Sequence, residues 1–255
     1  MESTNPEPKL GAAICLKTHR PVRLADFVAD FQKRWPEELL IGKGRRRDCA
    51  YFASGGSEFA VELSNEPIPQ GVTDAALSSA SQHWSTAEKD LEPHVAHLKI
   101  TTRLERDREL GSASVLTKIL VALVAVTDSM GVCWLNGPVL HTAQDFVGIA
   151  SEMFAVGVPP LILWIGVHWK AEERTIHTGG MLQFGAPEIL LAQQAHPSHE
   201  AAEHLFEIAH YVLTSGKVIL EGETMDGPNG VLRVESVYGR DRSRRALVLV
   251  PMTPI

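Results

Sequence analysis

Two histidines, two tryptophans, a glycine pair and a carboxylate lie close together in LILWIGVHWKAEERTIHTGGMLQFGAPE, residues 161–188. Facing imidazoles can share a metal or pass a proton, and bare glycines allow a ligand or a backbone to approach. If Ala171-Glu172-Glu173-Arg174 is a hairpin loop, His168 stands opposite His177. The same register sets Lys170 against Thr175, Trp169 against Ile176, Gly166 against Gly179 and Trp164 against Met181. Side chains alternate across a strand. One face therefore carries Leu161, Leu163, Ile165, Val167 and Trp169 with Ile176, Leu182 and Phe184, and is expected to be core. The other is mixed, and it is the candidate ligand groove. Gly166 and Gly179 would floor it, Trp164, His168, His177 and Gln183 would wall it, and Glu188 follows at its end. The plain alternative is a helix packed over that face, with the glycines making room for it.

Two imidazoles are too few for a closed metal site, so neither a metal nor a cofactor is expected. A second candidate is the turn Asn136-Gly137-Pro138, with Trp134 and His141 beside it. It leads into a capped helix, and exposed helix N-termini can receive anions. Other constellations are weaker. His94 and His97 sit at i and i+3 of an expected strand and so point to opposite faces. His196 and His199 precede a helix whose Glu203, Glu207 and His210 share an outer, solvated stripe. Arg45-Arg46-Arg47 and the arginines from Arg240 to Arg245 are placed in hairpin turns, where they form a basic patch only if the turns meet. No Gly-x-Ser-x-Gly elbow, Cys-x-x-Cys pair or GxGxxG fingerprint occurs, so no catalytic residue is assigned and the enzyme question stays open, leaning against catalysis.

The elements that must position these residues follow from composition and periodicity. A chain of 255 residues with 44% hydrophobic and 22% charged residues can bury a substantial core. Its net charge of −7 and pI near 5.9 argue against nucleic acid and against an anionic membrane surface. Cys15, Cys49 and Cys133 each lie in an apolar run and read as buried reduced thiols of a cytoplasmic protein. No apolar run is long enough to span a membrane, and MESTNPEPKL has no signal-peptide pattern.

Residues 1–10 read as a flexible tail and 11–255 as one domain, with 11–92 and 93–255 as its lobes. Gly11 to Lys17 is a buried strand, and Leu24, Phe27, Val28 and Phe31 form a helical stripe ended by Trp35-Pro36. Strands are expected at 38–41, 48–53 and 58–63, with Gly42-Lys43-Gly44-Arg45 and Ser54-Gly55-Gly56-Ser57 as turns. A helix at 73–84 and a strand at 94–101 follow. Ser112 and Gly131 bracket the most apolar helix, and 132–135 is a strand. Thr142 and Asp145 form a capping box for a helix carrying Phe146, Ile149, Ala150 and Met153. After the hairpin come a strand at 188–193, a helix ending at Gly216, and strands at 217–224, 231–238 and 246–250. This order predicts an α+β fold: largely antiparallel sheet with helices on one face, arranged as two ferredoxin-like lobes packed together.

The segments TGGMLQFGAPEI, GVCWLNGPVLHTAQDF with PLILWIGVHW, and HLFEIAHYVLTSGKVILEGETM resemble a bacterial family known as domain of unknown function 4261. The resemblance covers most of the chain after Gly11 and implies kinship of fold. The family pattern has a second acidic residue shortly after Glu188, where this chain has Leu190. The functional expectation is a non-catalytic module that binds another protein, in a bacterial immunity, defence or secretion setting, with a homodimer left open. The alternative is an enzyme or small-ligand sensor using the His/Trp-lined groove.

Overall fold

Leu10 to Leu16 is buried at every position, which requires cover on both faces of the strand. The computed structural model describes residues 9–46, 48–80, 83–103, 109–192, 198–227, 230–238 and 245–252. In it, β1 (Lys9–Leu16) lies between β5 (Ala96–Arg103) and β6 (Ser129–Trp134), antiparallel to both. With β2 (Ile41–Arg46), β3 (Cys49–Ser54), β4 (Ser57–Ser64) and β7 (Val139–Thr142), the sheet order is β2-β3-β4-β5-β1-β6-β7.

Helices cover both faces of this sheet, not one. On one side lie α1 (Leu24–Arg34) and α4 (Glu109–Ala125). Phe27 of α1 meets Phe52 edge-on at 5.2 Å, and Ser112 Oγ of α4 is 3.0 Å from Ser57 Oγ. On the other side, α2 (Gln70–Ala80) and α3 (Ala87–Leu91) bring Ala76, Ala80, Trp84 and Leu91 onto Ala13, Cys15, Cys133 and Leu140. The apolar alternation of β1, with Ala12, Ile14 and Leu16 against Ala13 and Cys15, serves both layers. The helix α5 (Ala143–Ala155) starts as the capping box predicts. Thr142 Oγ1 accepts from Asp145 N at 3.0 Å and donates to Asp145 Oδ2 at 2.7 Å.

The chain divides into two compact units, Met1–Trp164 and Ile165–Ile255. A division at 92/93 would part β5 from β4 and β1, with which it pairs. The second unit holds β8 (Gly166–Lys170), β9 (Thr175–Gly179), β10 (Glu188–Leu191), α6 (His199–Ser215), β11 (Thr224–Gly227), β12 (Gly230–Tyr238) and β13 (Arg245–Pro251). Its order is β11-β12-β13-β10-β9-β8, and β10 runs parallel to β13. Ser198 caps α6 by accepting from Ala201 N, and Gly216, at φ 66°, ends it. The fold is α+β. Every pairing described in the first sheet is antiparallel.

Several boundaries differ from expectation for physical reasons. Gly42 to Arg45 belongs to β2 instead of a turn, because Gly44 at φ 141° accommodates a bulge in the ladder with β3. Glu38 to Leu40 precedes that strand. Ser112 lies inside α4, and Gly131 lies in β6, where a Cβ would stand 3.2 Å from the Trp84 ring. Lys217 to Glu223 is irregular, and the strand begins only at Thr224. Lys9 and Leu10 are part of β1, so an expected tail over 1–10 has only residues 1–8 outside the described ones.

Candidate functional site

The hairpin β8–β9 has the register read from the sequence. Lys170 pairs with Thr175, Trp169 with Ile176, His168 with His177, and Gly166 with Gly179. The two imidazoles face one another with centroids 5.4 Å apart and planes 33° apart. Burial lowers the pKa of His168; burial first, then the neighbouring His168, brings His177 down to about 4. Both rings are therefore neutral near pH 7. Thr175 Oγ1 and His177 Nδ1, two residues apart on the same face of β9, are buried with no hydrogen-bond partner. Among the described residues no group of three or more His, Cys, Asp or Glu is placed to hold a metal.

The ladder stops at the glycine pair, and this alters the rest of the expected groove. Leu161–Leu163 and Met181–Phe184 are short 3₁₀ turns, so Trp164 does not pair with Met181. Trp164 is fully buried, and its indole N–H donates to Thr117 Oγ1 at 2.7 Å, beside Trp134 at 5.8 Å. It is a core residue of the first unit and not a groove wall. Leu182, expected in the core, is 45% exposed. The floor is closed as well, since a Cβ on Gly179 would lie 2.8 Å from His168 Nε2. The imidazole occupies the hollow that the glycines leave.

Glu188 explains the remainder of TGGMLQFGAPE. Its Oε1 accepts from Gly180 N at 2.9 Å and Leu182 N at 3.3 Å, while its Oε2 accepts from Thr178 Oγ1 at 2.7 Å. Thr178 Oγ1 in turn accepts from Ile189 N. Gln183 Nε2 donates to Gly180 O at 2.7 Å. Gly180 at φ 117° and Gly185 at φ 72° bound the 3₁₀ turn that this carboxylate holds. The motif is a strand, a tight turn and a strand, stapled by one glutamate.

Family comparison bears on the same segment. Residues 177–247 match the model of DUF4261, described as a domain of unknown function. That segment is similar to the DUF4261 family. No curated protein and no solved structure matches the chain. The DUF4261 match runs from the middle of β9 through β10, α6, β11 and β12 into β13. It therefore includes His177 and the Glu188 staple and lies wholly within the second unit.

The second sequence candidate does not assemble into a site around the turn. Asn136 Oδ1 accepts from Gly11 N at 2.7 Å, tying the turn to β1. Trp134 and His141 are buried. His141 Nε2 donates to Ile162 O, its ring stacks on His83 at 4.8 Å, and its Nδ1 is buried with no partner. Burial first, then His83, lowers its pKa to about 4. His94 accepts from Ile68 N, and His97 Nδ1 donates to Glu66 O, so both are structural. His196, Arg47 and residues 240–244 lie outside the described residues.

One cavity went unnoticed in the sequence. It is an open cleft of about 640 Å³, lined by Arg34, Trp35, Ser114, Lys118, Ser151 and Phe154, among others. Helical spacing converges these groups: Ser114 and Lys118 are i,i+4 on α4, and Ser151 and Phe154 are i,i+3 on α5. Lys118 bonds to Glu38 Oε1 and lies over the rings of Phe154 at 5.3 Å and Trp35 at 5.8 Å. A signal was present, since Lys118 is the sole charged residue between Glu109 and Asp128.

Proposed function

We propose that this protein is a non-catalytic module that binds an extended acidic segment of another protein along the edge strand β2. The supporting observation is that β2 ends its sheet and all six of its residues are exposed, with Lys43, Arg45 and Arg46 among them. An edge strand offers unpaired backbone groups to an added strand. Its basic side chains oppose the sign of the chain's net charge of −7. They would repel a second copy of the same edge and attract glutamates or aspartates, so one feature both prevents self-pairing and selects a partner. Leu39, 65% exposed, and Ile41, 45% exposed, offer apolar anchoring beside the charges. The three free cysteines support a reducing, cytoplasmic setting, and an immunity, defence or secretion role fits such a module.

The groove-based alternative draws little from the geometry, because its tryptophans are buried and its floor is filled. The test uses fluorescein-labelled peptides of alternating glutamate and valine, with a lysine–valine peptide as control. Anisotropy should show saturable, salt-sensitive binding of the acidic peptide alone, lost in the triple variant Lys43→Glu/Arg45→Glu/Arg46→Glu. Binding of both peptides, of neither, or undiminished binding by the variant overturns the reading.

A further inference from the structure

Each sheet has two edge strands, and these differ in exposure and in charge. β7 is almost wholly buried, and β8 begins with two buried residues, Gly166 and Val167. The other two edges lie open: all six residues of β2 are exposed, as are Thr224 and Asp226 of β11. Gly222 N donates to Val234 O and Val234 N to Glu223 O, so the β11 edge in effect begins at Gly222 and matches β2 in length. Charge separates the pair. From Leu39 to Arg47 the sequence has no acidic residue, and β2 carries Lys43, Arg45 and Arg46. From Val218 to Leu232 it has no Lys, Arg or His, and it carries Glu221, Glu223 and Asp226, all exposed. Exposed apolar residues precede the charges at both edges, Leu39 and Ile41 at β2 and Val218 and Leu220 at β11.

We propose that the acidic edge β11 of one molecule adds to the basic edge β2 of a second copy of this chain. The proposal rests on the reading of β2 as the acceptor of an acidic strand, and it names that strand. Like edges repel, β2 against β2 and β11 against β11, so only the unlike pair forms. Parallel alignment sets Leu39 and Ile41 beside Val218 and Leu220, and the bases beside the acids. Antiparallel alignment sets the apolar pair of β2 against the Asp226 end and loses both matches. Because the two edges differ, the contact is head-to-tail, and every molecule added leaves one β2 and one β11 open until a ring closes. The net charge of −7 on each copy does not prevent this. Physiological salt screens repulsion beyond about 8 Å, whereas side chains facing across adjacent strands are closer than that.

The test is sedimentation velocity of the full chain. Association should grow between about 10 μM and 1 mM protein at about 0.15 M salt. It should be about tenfold weaker at about 1 M salt, where the Debye length falls to about 3 Å. Glu221→Lys/Asp226→Lys changes two exposed residues and spares Glu223, whose Oε2 accepts from Leu220 N. This variant should stay monomeric yet bind the glutamate–valine peptide as the unaltered chain does. Lys43→Glu/Arg45→Glu/Arg46→Glu should lose both self-association and the peptide. An equimolar mixture of the two variants should associate again, since their reversed charges complement one another, and misfolded variants would not do this. Peptide binding by an unaltered chain that stays monomeric throughout overturns this contact and leaves the reading of β2 standing, whereas loss of both removes the two together. Self-association that survives Glu221→Lys/Asp226→Lys, or a mixture that stays monomeric, also overturns the contact.

Discussion

His168 Nε2 stands 2.8 Å from where a Cβ on Gly179 would sit. The space over the glycine pair is thus taken by a side chain of the facing strand. Gly179→Ala must displace that ring or the backbone, and it should lower stability by about 1–3 kcal/mol. In the His168→Ala background the same substitution should have far less effect, because nothing then opposes the methyl group. Urea unfolding of the double-mutant cycle checks this, and additive effects would contradict it.

Glu188 should matter to stability before it matters to any ligand. Glu188→Ala leaves the amides of Gly180 and Leu182 and the Thr178 hydroxyl without their acceptor, at a loss of about 2–3 kcal/mol. Glu188→Gln keeps one acceptor oxygen and should lose less. Amide hydrogen exchange at Gly180 should accelerate in both variants, more in the alanine one. Unchanged exchange would show that the staple does not hold the turn.

Acid should destabilise the protein well above the carboxylate range. Folded His141 titrates near 4 against an ordinary 6.5, chiefly through burial and then through His83. Between those pH values the unfolded chain binds a proton that the folded chain does not. Stability is then complete above pH 6.5 and falls as the pH drops toward 4, by about 3 kcal/mol from this residue. The lowered pKa values of His168 and His177 act in the same direction. Proton NMR of the imidazoles, alongside unfolding free energies from pH 7 to 4, tests this, and a flat stability profile would refute it.

Cys15 and Cys133 have no solvent exposure, and burial first pushes both thiols up to about 12. For Cys15 the neighbouring Cys133 adds to the effect. A thiol reagent at pH 8 should therefore modify Cys49 alone in the folded protein, since Cys49 is half-buried. The other two should react only on unfolding. Rapid reaction of all three with folded protein would mean that the layer of Ala76, Trp84 and Leu91 over these thiols opens readily.

Legibility in the sequence followed the range of the forces involved. The pairing of His168 with His177 could be read because a four-residue loop and a period of two leave one register that buries Val167 and Ile176. The capping box of Thr142 and Asp145 could be read because its donor and acceptor are three residues apart. Turn composition was ambiguous: Gly55-Gly56 does form a tight turn, whereas Gly42 and Gly44 sit in a bulged strand. Glycine permits both, and the ladder with β3 selected between them.

Local pattern was enough to establish the α+β class, the hairpin register, the Thr142 cap, the helix end at Gly216 and the burial of β1, because burial periodicity and capping are properties of neighbouring residues. It could not establish where the hairpin ends. That depends on Trp164 finding Thr117, 47 residues earlier, and on Glu188 reaching back to Gly180. The filling of the glycine hollow by His168, the cover on both faces of the first sheet, and the meeting of Lys118 with Glu38, Trp35 and Phe154 have the same origin. Each is a contact between segments that separate elements bring together, and a one-dimensional pattern carries no record of which distant side chain will occupy a given space.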